Sequence, residues 1–335
     1  MLKQVQHDNM RKAILLTIIS VVLFAGLAVM EYFKFNDGKL HVIFCDVGQG
    51  DAIFIRTPDG KNLLIDGGPD RKVLNCLSSY MPFWERNIDL MVLTHPHADH
   101  FMGMYYVLER YSVTAFATEK LENKSGEFQG LIKQLRVQGV PIRYVYQGDN
   151  WTIPAGNFPL SIYHLPFIGQ SLNSQFQNKK SMENGTWKME NLTLSILGPS
   201  KEFLDRTSPG GKIGESKEFA SLVSELSFGN FHALFTGDTQ TGELGEIVDE
   251  LDLQDKEIDV LQSPHHGSRT GLTKDIVQKI LPKISVISVG QRNRYGHPNK
   301  AILDLFQEAK VPVLRTDEDG DLHIVSDGAS WSVLQ

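Results

Sequence analysis

The chain has 335 residues, 41% of them hydrophobic and 22% charged, which is enough apolar material for one large folded unit or two smaller ones. Its formal net charge of −7 at pH 7 excludes a protein whose whole surface grips nucleic acid, so any polyanion has to be met by a local patch. Two cysteines, Cys45 and Cys76, are too few for a disulfide scaffold, and Cys45, inside an apolar run, reads as a buried thiol.

The first residues form a separate object. Lys3, Arg11 and Lys12 precede an uncharged run from Ala13 to Met30. At ~1.5 Å per residue a helix of that length crosses or nearly crosses a hydrocarbon core of about 30 Å. No polar face interrupts the run, which argues against a buried helix of a soluble fold. The positive-inside rule keeps the basic residues in the cytoplasm. The expectation is a single-pass cell-membrane protein, with residues 1–35 as cytoplasmic N-terminus and anchor and residues 36–335 as an extracytoplasmic domain. Gly26, Leu27 and Ala28 offer a small-x-small cleavage site, so a signal peptide and a secreted product are the alternative. The apolar run is longer than a usual signal-peptide core, which favours the anchor.

Strands come next. Leu40 to Asp46, Ala52 to Arg56 and Asn62 to Asp66 are short apolar runs punctuated by Gly and Pro, the pattern of a β-meander. The loop from Asp46 to Asp51 sets two carboxylates around Gly48 and Gly50. Asp66 ends its strand ahead of Gly67 and Gly68. There it is either an ordinary Asp-Gly turn or a carboxylate that orients metal-bound histidines.

The apolar strand run Leu90 to Leu93 leads into Thr94, His95, Pro96, His97, Ala98, Asp99 and His100, three imidazoles and a carboxylate within seven residues. Few folds need such a cluster for packing. Phe101 to Glu109 has helical character, so the cluster occupies a strand-to-helix loop. On an extended loop His95 and His97 point the same way. Asp99 and His100 fall on the first turn of the helix and face a second point. That arrangement suits two divalent cations, zinc first and manganese second, held by nitrogen and oxygen.

A strand from Val113 to Ala117, a helix around Gln129 to Gln138 and a strand near Ile142 to Tyr146 then alternate, which predicts helices layered on a sheet. Phe167 to Glu190 is polar and rich in Ser, Asn and Gln and reads as a surface insertion. Phe231 to Thr236 is a strand run ending in Gly237 and Asp238, where a carboxylate can bridge two cations. Ile258 to Leu261 is another, ending in Ser263, Pro264, His265, His266, Gly267 and Ser268. Adjacent side chains on extended backbone point apart, so one of His265 and His266 is expected to ligate and the other to face substrate or to support the metal-bound residues from behind. Three ligand-bearing loops, each after a buried strand, make a chance arrangement improbable. The candidate metal ligands are therefore His95, His97, Asp99, His100, Asp238 and either His265 or His266, with Asp99, Asp238 and His266 as candidate catalytic groups.

These motifs carry a resemblance. HPHADH, GD and HHGS at successive strand ends resemble the metallo-β-lactamase superfamily, and the finer wording is similar to the hydrolase domain of ComEC-type competence proteins. The shared stretches are DVGQGDA from Asp46, IDGG from Ile65, LTHPHADH from Leu93, FTGD from Phe235, HHGS from His265, YGHP from Tyr295 and RTDEDG from Arg315. The resemblance runs from about residue 40 onward and implies an α/β fold, a four-layer αββα sandwich with the metals at one end of its two sheets. It departs from the family in having one candidate span where the ComEC proteins have many, so a DNA channel is not expected of this chain. The superfamily's further histidine ligand has one suitably placed counterpart, His164, expected to be structural.

The resemblance implies a metal-dependent hydrolase, with nucleic acid or another phosphodiester as substrate. The alternatives are a hydrolase of another surface ester, such as a phosphocholine, phospholipid or lactone, and a binding module without turnover. Fold alone cannot choose among these. Asp46 and Asp66 are expected to support the ligands. Ser268, Arg292, Asn293, Tyr295 and His297, with Arg269 and Arg294, lie beside the HHGS and YGHP motifs and are the candidate substrate contacts.

Overall fold

The structure is a computed structural model and describes residues 2–153, 161–164, 182–183, 186–187, 192–216, 219–251 and 257–334. The expected insertion, Phe167 to Glu190, falls outside these apart from the short paired strands Met182–Glu183 and Thr186–Trp187.

A single helix, Leu2–Phe35, contains an exposed apolar stretch, Met10–Phe35, of 26 residues. At ~1.5 Å per residue such a stretch is longer than the ~30 Å hydrocarbon core. Its C-terminal end is fastened to the folded domain. The Phe35 carbonyl accepts a hydrogen bond from Arg56 Nε at 3.0 Å, and Arg56 Nη1 bonds Asn62 Oδ1 at 2.8 Å and Glu85 Oε2 at 3.0 Å.

That domain is built on two eight-stranded sheets. In the first, the strands Trp331–Leu334, Leu322–Ser326, Leu40–Phe44, Ile53–Arg56 and Asn62–Ile65 pair antiparallel, then Leu90–Leu93, Phe116–Thr118 and Ile142–Tyr144 continue parallel. The second repeats that plan: Ser161–His164, Asp149–Ile153, Leu192–Gly198, Val223–Phe228 and Phe231–Phe235 are antiparallel, and Val260–Gln262, Ile284–Ile287 and Val313–Arg315 are parallel. Alternation along each strand sorts the side chains between layers. Val42, Phe44, Ile53 and Ile55 meet Leu226, Phe228, Phe231 and Phe235 between the sheets. Ile43, Phe54, Leu64 and Met91 face Ala98–Arg110 and Gly126–Val137 on one outer side. Val223, Leu234 and Leu261 face Thr241–Glu250, Lys274–Ile280 and Lys300–Ala309 on the other. The result is the expected four-layer αββα sandwich, with an N-terminal apolar helix.

Two expectations about elements need correction. The strand expected over Val113 to Ala117 is two: Ser112–Val113 pairs with Asn87–Ile88 in a separate ribbon, and Phe116–Thr118 enters the main sheet. Cys45 is not a thiol but is joined to Cys76 in a disulfide, with Cα atoms 5.8 Å apart and a separation of 31 positions in sequence. Cys45 comes directly after the Leu40–Phe44 strand and Cys76 lies on the helix Val73–Tyr80 packed over that sheet, so the pair meets only through tertiary packing.

Candidate metal centre

The ligand-bearing loops all leave the same end of the two sheets. Backbone hydrogen bonds stitch them together: Leu222 N–H donates to Thr94 O at 2.9 Å, His265 N–H to Gly237 O at 3.0 Å, and Gly67 N–H to His100 O at 2.7 Å. The helix Ala98–Arg110 begins directly after His97, which sets Asp99 and His100 on its first turn.

Asp51, His100, Asp238 and His266 are all buried, and each offers one ligand atom within 4.8 Å of the others. Each also carries a buried polar atom without a hydrogen-bond partner: Asp51 Oδ2, His100 Nε2, Asp238 Oδ1 and His266 Nε2. His95, His97 and Asp238 make a second such group. Asp238 joins the two. Its Oδ1 lies 3.4 Å from both His100 Nε2 and His266 Nε2, and its Oδ2 lies 3.7 Å from both His95 Nε2 and His265 Nε2. Asp99, a third exposed, sits on the rim with Oδ2 3.6 Å from His266 Nε2.

The rings are fixed from behind. His100 Nδ1 bonds Asp66 Oδ2 at 2.8 Å, His266 Nδ1 bonds the Ser288 carbonyl at 3.1 Å, and His95 Nδ1 lies 3.1 Å from Thr94 Oγ1 and 3.4 Å from Ser221 Oγ. Satisfying each Nδ1 in this way leaves Nε2 as the free lone pair, which is how proteins present imidazole to a cation. His95 Nε2 and His97 Nδ1 stand 2.8 Å apart, two nitrogens turned to one point.

Electrostatics fit a cation as well. Burial works against a charged imidazole, yet the Asp238 and Asp66 carboxylates hold His100 well above the usual range, and Asp238 and Asp51 do the same to His266. Burial alone would raise Asp238, but the facing His266 and His100 rings draw it well below. At His95, away from most of that negative charge, burial and then His100 push the ring well down. The buried carboxylates thus demand positive charge at their centre, and divalent cations would supply it where protons otherwise must.

Several expected residues lie elsewhere. Asp46 is exposed, its N–H donates to Asp321 Oδ1 at 2.7 Å and its Oδ1 accepts from Gly48 N–H at 3.2 Å, so the structure does not bring it to the cluster. Asp51, at the other end of the same loop, is the carboxylate that arrives. Gly50 lets it: a Cβ there would meet the Asp99 carbonyl oxygen at 2.2 Å, so only glycine allows the loop to close on the helix. His265 and His266 are not on extended backbone; their φ values of 52° and 54° are left-handed, and both rings reach Asp238, one at each oxygen. Asn293 bonds Gly290 O and His297 O and accepts from the N–H groups of Tyr295 and His297, so its amide organises its own loop. Ser268 is buried with its hydroxyl 3.2 Å from Thr270 Oγ1. His297 lies beside His265, ring centroids 6.0 Å apart, and Tyr295 stacks on His297. Arg269, Arg292 and Arg294 are exposed, Arg294 against the Tyr295 ring. His164 closes the strand Ser161–His164 and pairs in register with Asp149, while the expectation about its ring lies outside the described residues. Phe219, which nothing in the sequence signalled, stacks on His95 and stands edge-on to His97 as an apolar wall.

The chain is similar to several known proteins. Residues 45–171 match the Metallo-beta-lactamase superfamily. The chain is 25% identical over 304 residues to ComE operon protein 3 of Bacillus subtilis (strain 168), covering 86% of this chain and 33% of that protein. It is 24% identical over 308 residues to Competence protein ComA of Neisseria gonorrhoeae, covering 90% and 35%. It thus spans about a third of the length of these curated relatives. The crystal structure of YhfI, a metallo-beta-lactamase fold protein from Bacillus subtilis, superposes with a TM-score of 0.48 at 12% identity, covering 82% of this chain and 96% of that one.

Proposed function

We propose that this chain, which carries a metallo-β-lactamase domain and is related over most of its length to ComEC-type competence proteins, is a membrane-anchored, metal-dependent phosphodiesterase acting on nucleic acid outside the cytoplasmic membrane. The observation that carries the reading is the set of four buried, unpartnered atoms on Asp51, His100, Asp238 and His266. Leaving them so costs about 1–3 kcal/mol apiece, more for charged groups, unless something binds there. His95, His97 and His265 on one side, and Asp51, Asp99, His100 and His266 on the other, would each hold a divalent cation, with Asp238 between them. Zinc suits this nitrogen and oxygen set, and manganese is the alternative.

Such cations, when bound, offset charge developing on the reacting oxygens and make water acidic enough to act as nucleophile near neutral pH. The chain's own groups position the reactants. Asp99, on the rim and open to solvent, accepts a proton from the entering water. Burial and the neighbouring His265 lower His297, which keeps its ring neutral and able to donate or accept a hydrogen bond at the phosphate. The Phe219 ring screens His95 and His97 from bulk water.

The competence relatives favour a nucleic-acid substrate, and with a net charge of −7 the phosphates must be met locally. The exposed Arg269, Arg292 and Arg294, beside the HHGS and YGHP motifs, are candidates to do so. Export is supported by the basic residues ahead of the apolar run and by the disulfide, since such bonds persist in oxidising compartments. On this reading residues 1–35 are the anchor and residues 36–335 the hydrolase.

The test is to incubate the full chain in nanodiscs with single-stranded DNA, double-stranded DNA, a small phosphodiester, phospholipid and a lactone, under zinc or manganese, with and without chelator. DNA and the small diester should be cut and a chelator should stop both. Turnover confined to the lipid or the lactone overturns the substrate class. A folded chain that binds no metal overturns the hydrolase.

A further inference from the structure

We infer that the hydrolase stands upright on its bilayer, with Phe83 and Trp84 set in the lipid boundary beside the apolar helix and the Asp238 cluster opening at the opposite end of the sheet, away from that lipid. The orientation rests on the proposed membrane anchor, and only its consequence for substrate rests on the proposed hydrolytic function.

Strand register defines the two ends. Phe44, Ile53, Ile65 and Leu93 lead into the loops that carry Asp51, Asp66 and His95 to His100. At the other end His41 pairs with Arg56, and Asp89 N–H donates to Asn62 O at 2.8 Å. The apolar helix joins at this second end through the Arg56 bond to the Phe35 carbonyl. So does the segment holding Phe83 and Trp84, because Glu85 is paired with Arg56 at 3.0 Å and Asn62 Nδ2 bonds the Asn87 carbonyl at 3.1 Å. Strands of four and five residues, at ~3.3 Å each, put about 13–17 Å of sheet between the two ends before any loop is counted.

Phe83 and Trp84 are each 45% exposed, unusual for two adjacent aromatics on a folded surface, and their ring centroids are 4.8 Å apart. The Phe83 ring lies 5.8 Å from that of Phe24. Phe24 belongs to the uncharged run Ala13 to Met30, about 16 Å along the helix from Phe35 at ~1.5 Å per residue. If that run spans the bilayer, whatever touches Phe24 is at lipid level. At ~1.5 Å per residue Phe24 lies about 9 Å inside the Met30 end of that run, so Phe83 beside it suits the outer hydrocarbon. The adjacent Trp84 suits the boundary above, where an aromatic ring buries its apolar body and Trp turns its N–H towards water. The cluster then faces the aqueous phase. Its substrate arrives from solution, as a soluble polymer does, and the headgroups of the protein's own bilayer lie beyond reach.

Tryptophan depth in vesicles tests this with the full chain. Lipids brominated near the headgroup end of the acyl chain should quench the wild-type emission, and most of that quenching should vanish in Trp84→Phe. In the Trp84→Phe background, Tyr295→Trp at the metal end should be quenched by aqueous iodide and not by brominated lipid. Equal lipid quenching of wild type and Trp84→Phe overturns the lipid contact. A Trp84 reached by neither quencher overturns it in favour of a protein cover. Lipid quenching that Tyr295→Trp adds to the Trp84→Phe background overturns the orientation. These readouts need no turnover, so failure to cut DNA and failure of the orientation are separate results.

Discussion

Asp66 and His100 share a buried hydrogen bond of 2.8 Å between Oδ2 and Nδ1, and the same carboxylate takes the Thr94 hydroxyl at 2.7 Å and, on Oδ1, the Thr94 N–H at 2.8 Å. Asp66 therefore fixes both the start of the His-rich loop and the ring at its end, leaving His100 Nε2 free to face Asp238. Asp66→Asn keeps the shape and removes the charge. It should weaken metal affinity by about 10- to 100-fold, read by competition with a chromogenic chelator. Unchanged affinity would reduce Asp66 to a turn residue.

The position of Asp238 between two groups predicts unequal losses of metal. Asp238→Ala should empty both sites, whereas His97→Ala should remove one equivalent and leave the other, as counted by elemental analysis of dialysed protein. Equal effects would mean that the two groups do not act as separate sites.

The loop from Asp46 to Asp51 gives a paired comparison. Asp51→Asn should lower metal content, because its carboxylate is buried among the ligands, and Asp46→Asn should not, because its contacts are with Gly48 and Asp321. The reverse ranking would show that the loop closes differently around the cation.

The Cys45–Cys76 bond joins positions 31 apart in sequence, tying the end of the Leu40–Phe44 strand to the helix Val73–Tyr80. Cys76→Ser should reduce stability by roughly 2–4 kcal/mol, measured by urea unfolding of the folded part under oxidising conditions. A wild type that unfolds identically with and without reductant would argue that the bond does not form in solution.

His323 gives an acid-side prediction away from the metals. Burial, and then the neighbouring His41, lower its pKa to about 4. The unfolded chain therefore binds a proton near pH 6.5 that the folded chain refuses until about pH 4, so stability falls as pH drops through that window. His323→Gln should flatten the decline in urea midpoint between pH 6.5 and 4.5. An unchanged slope would place the acid sensitivity on other groups.

Local sequence was enough for the elements that carry the candidate metal ligands. The Leu90–Leu93 strand and the helix onset at Ala98 arise where an apolar run meets a polar loop, and they put His95, His97, Asp99 and His100 where a strand end must put them. The same reading located Asp238 after Phe231–Phe235 and the pair His265 and His266 after Val260–Gln262. Asp66 was legible as a carboxylate at a strand end, but the choice between turn and ligand support was not.

What the sequence could not decide depends on which segments touch. Asp46 and Asp51 are equivalent acidic residues in one glycine loop, and only the contact of Gly50 with the Asp99 carbonyl selects Asp51. Cys45 and Cys76 meet because a helix packs across a strand 31 residues away, a relation that no local periodicity encodes. The left-handed backbone at His265 and His266 likewise replaces the alternation of a strand, so both rings reach Asp238 where a strand would have sent one away. Residue type and spacing set what each segment offers to a cation. Packing between distant segments decided which of those offers share a single buried centre, because burial and the closeness of unlike charges exist only once the two sheets have closed.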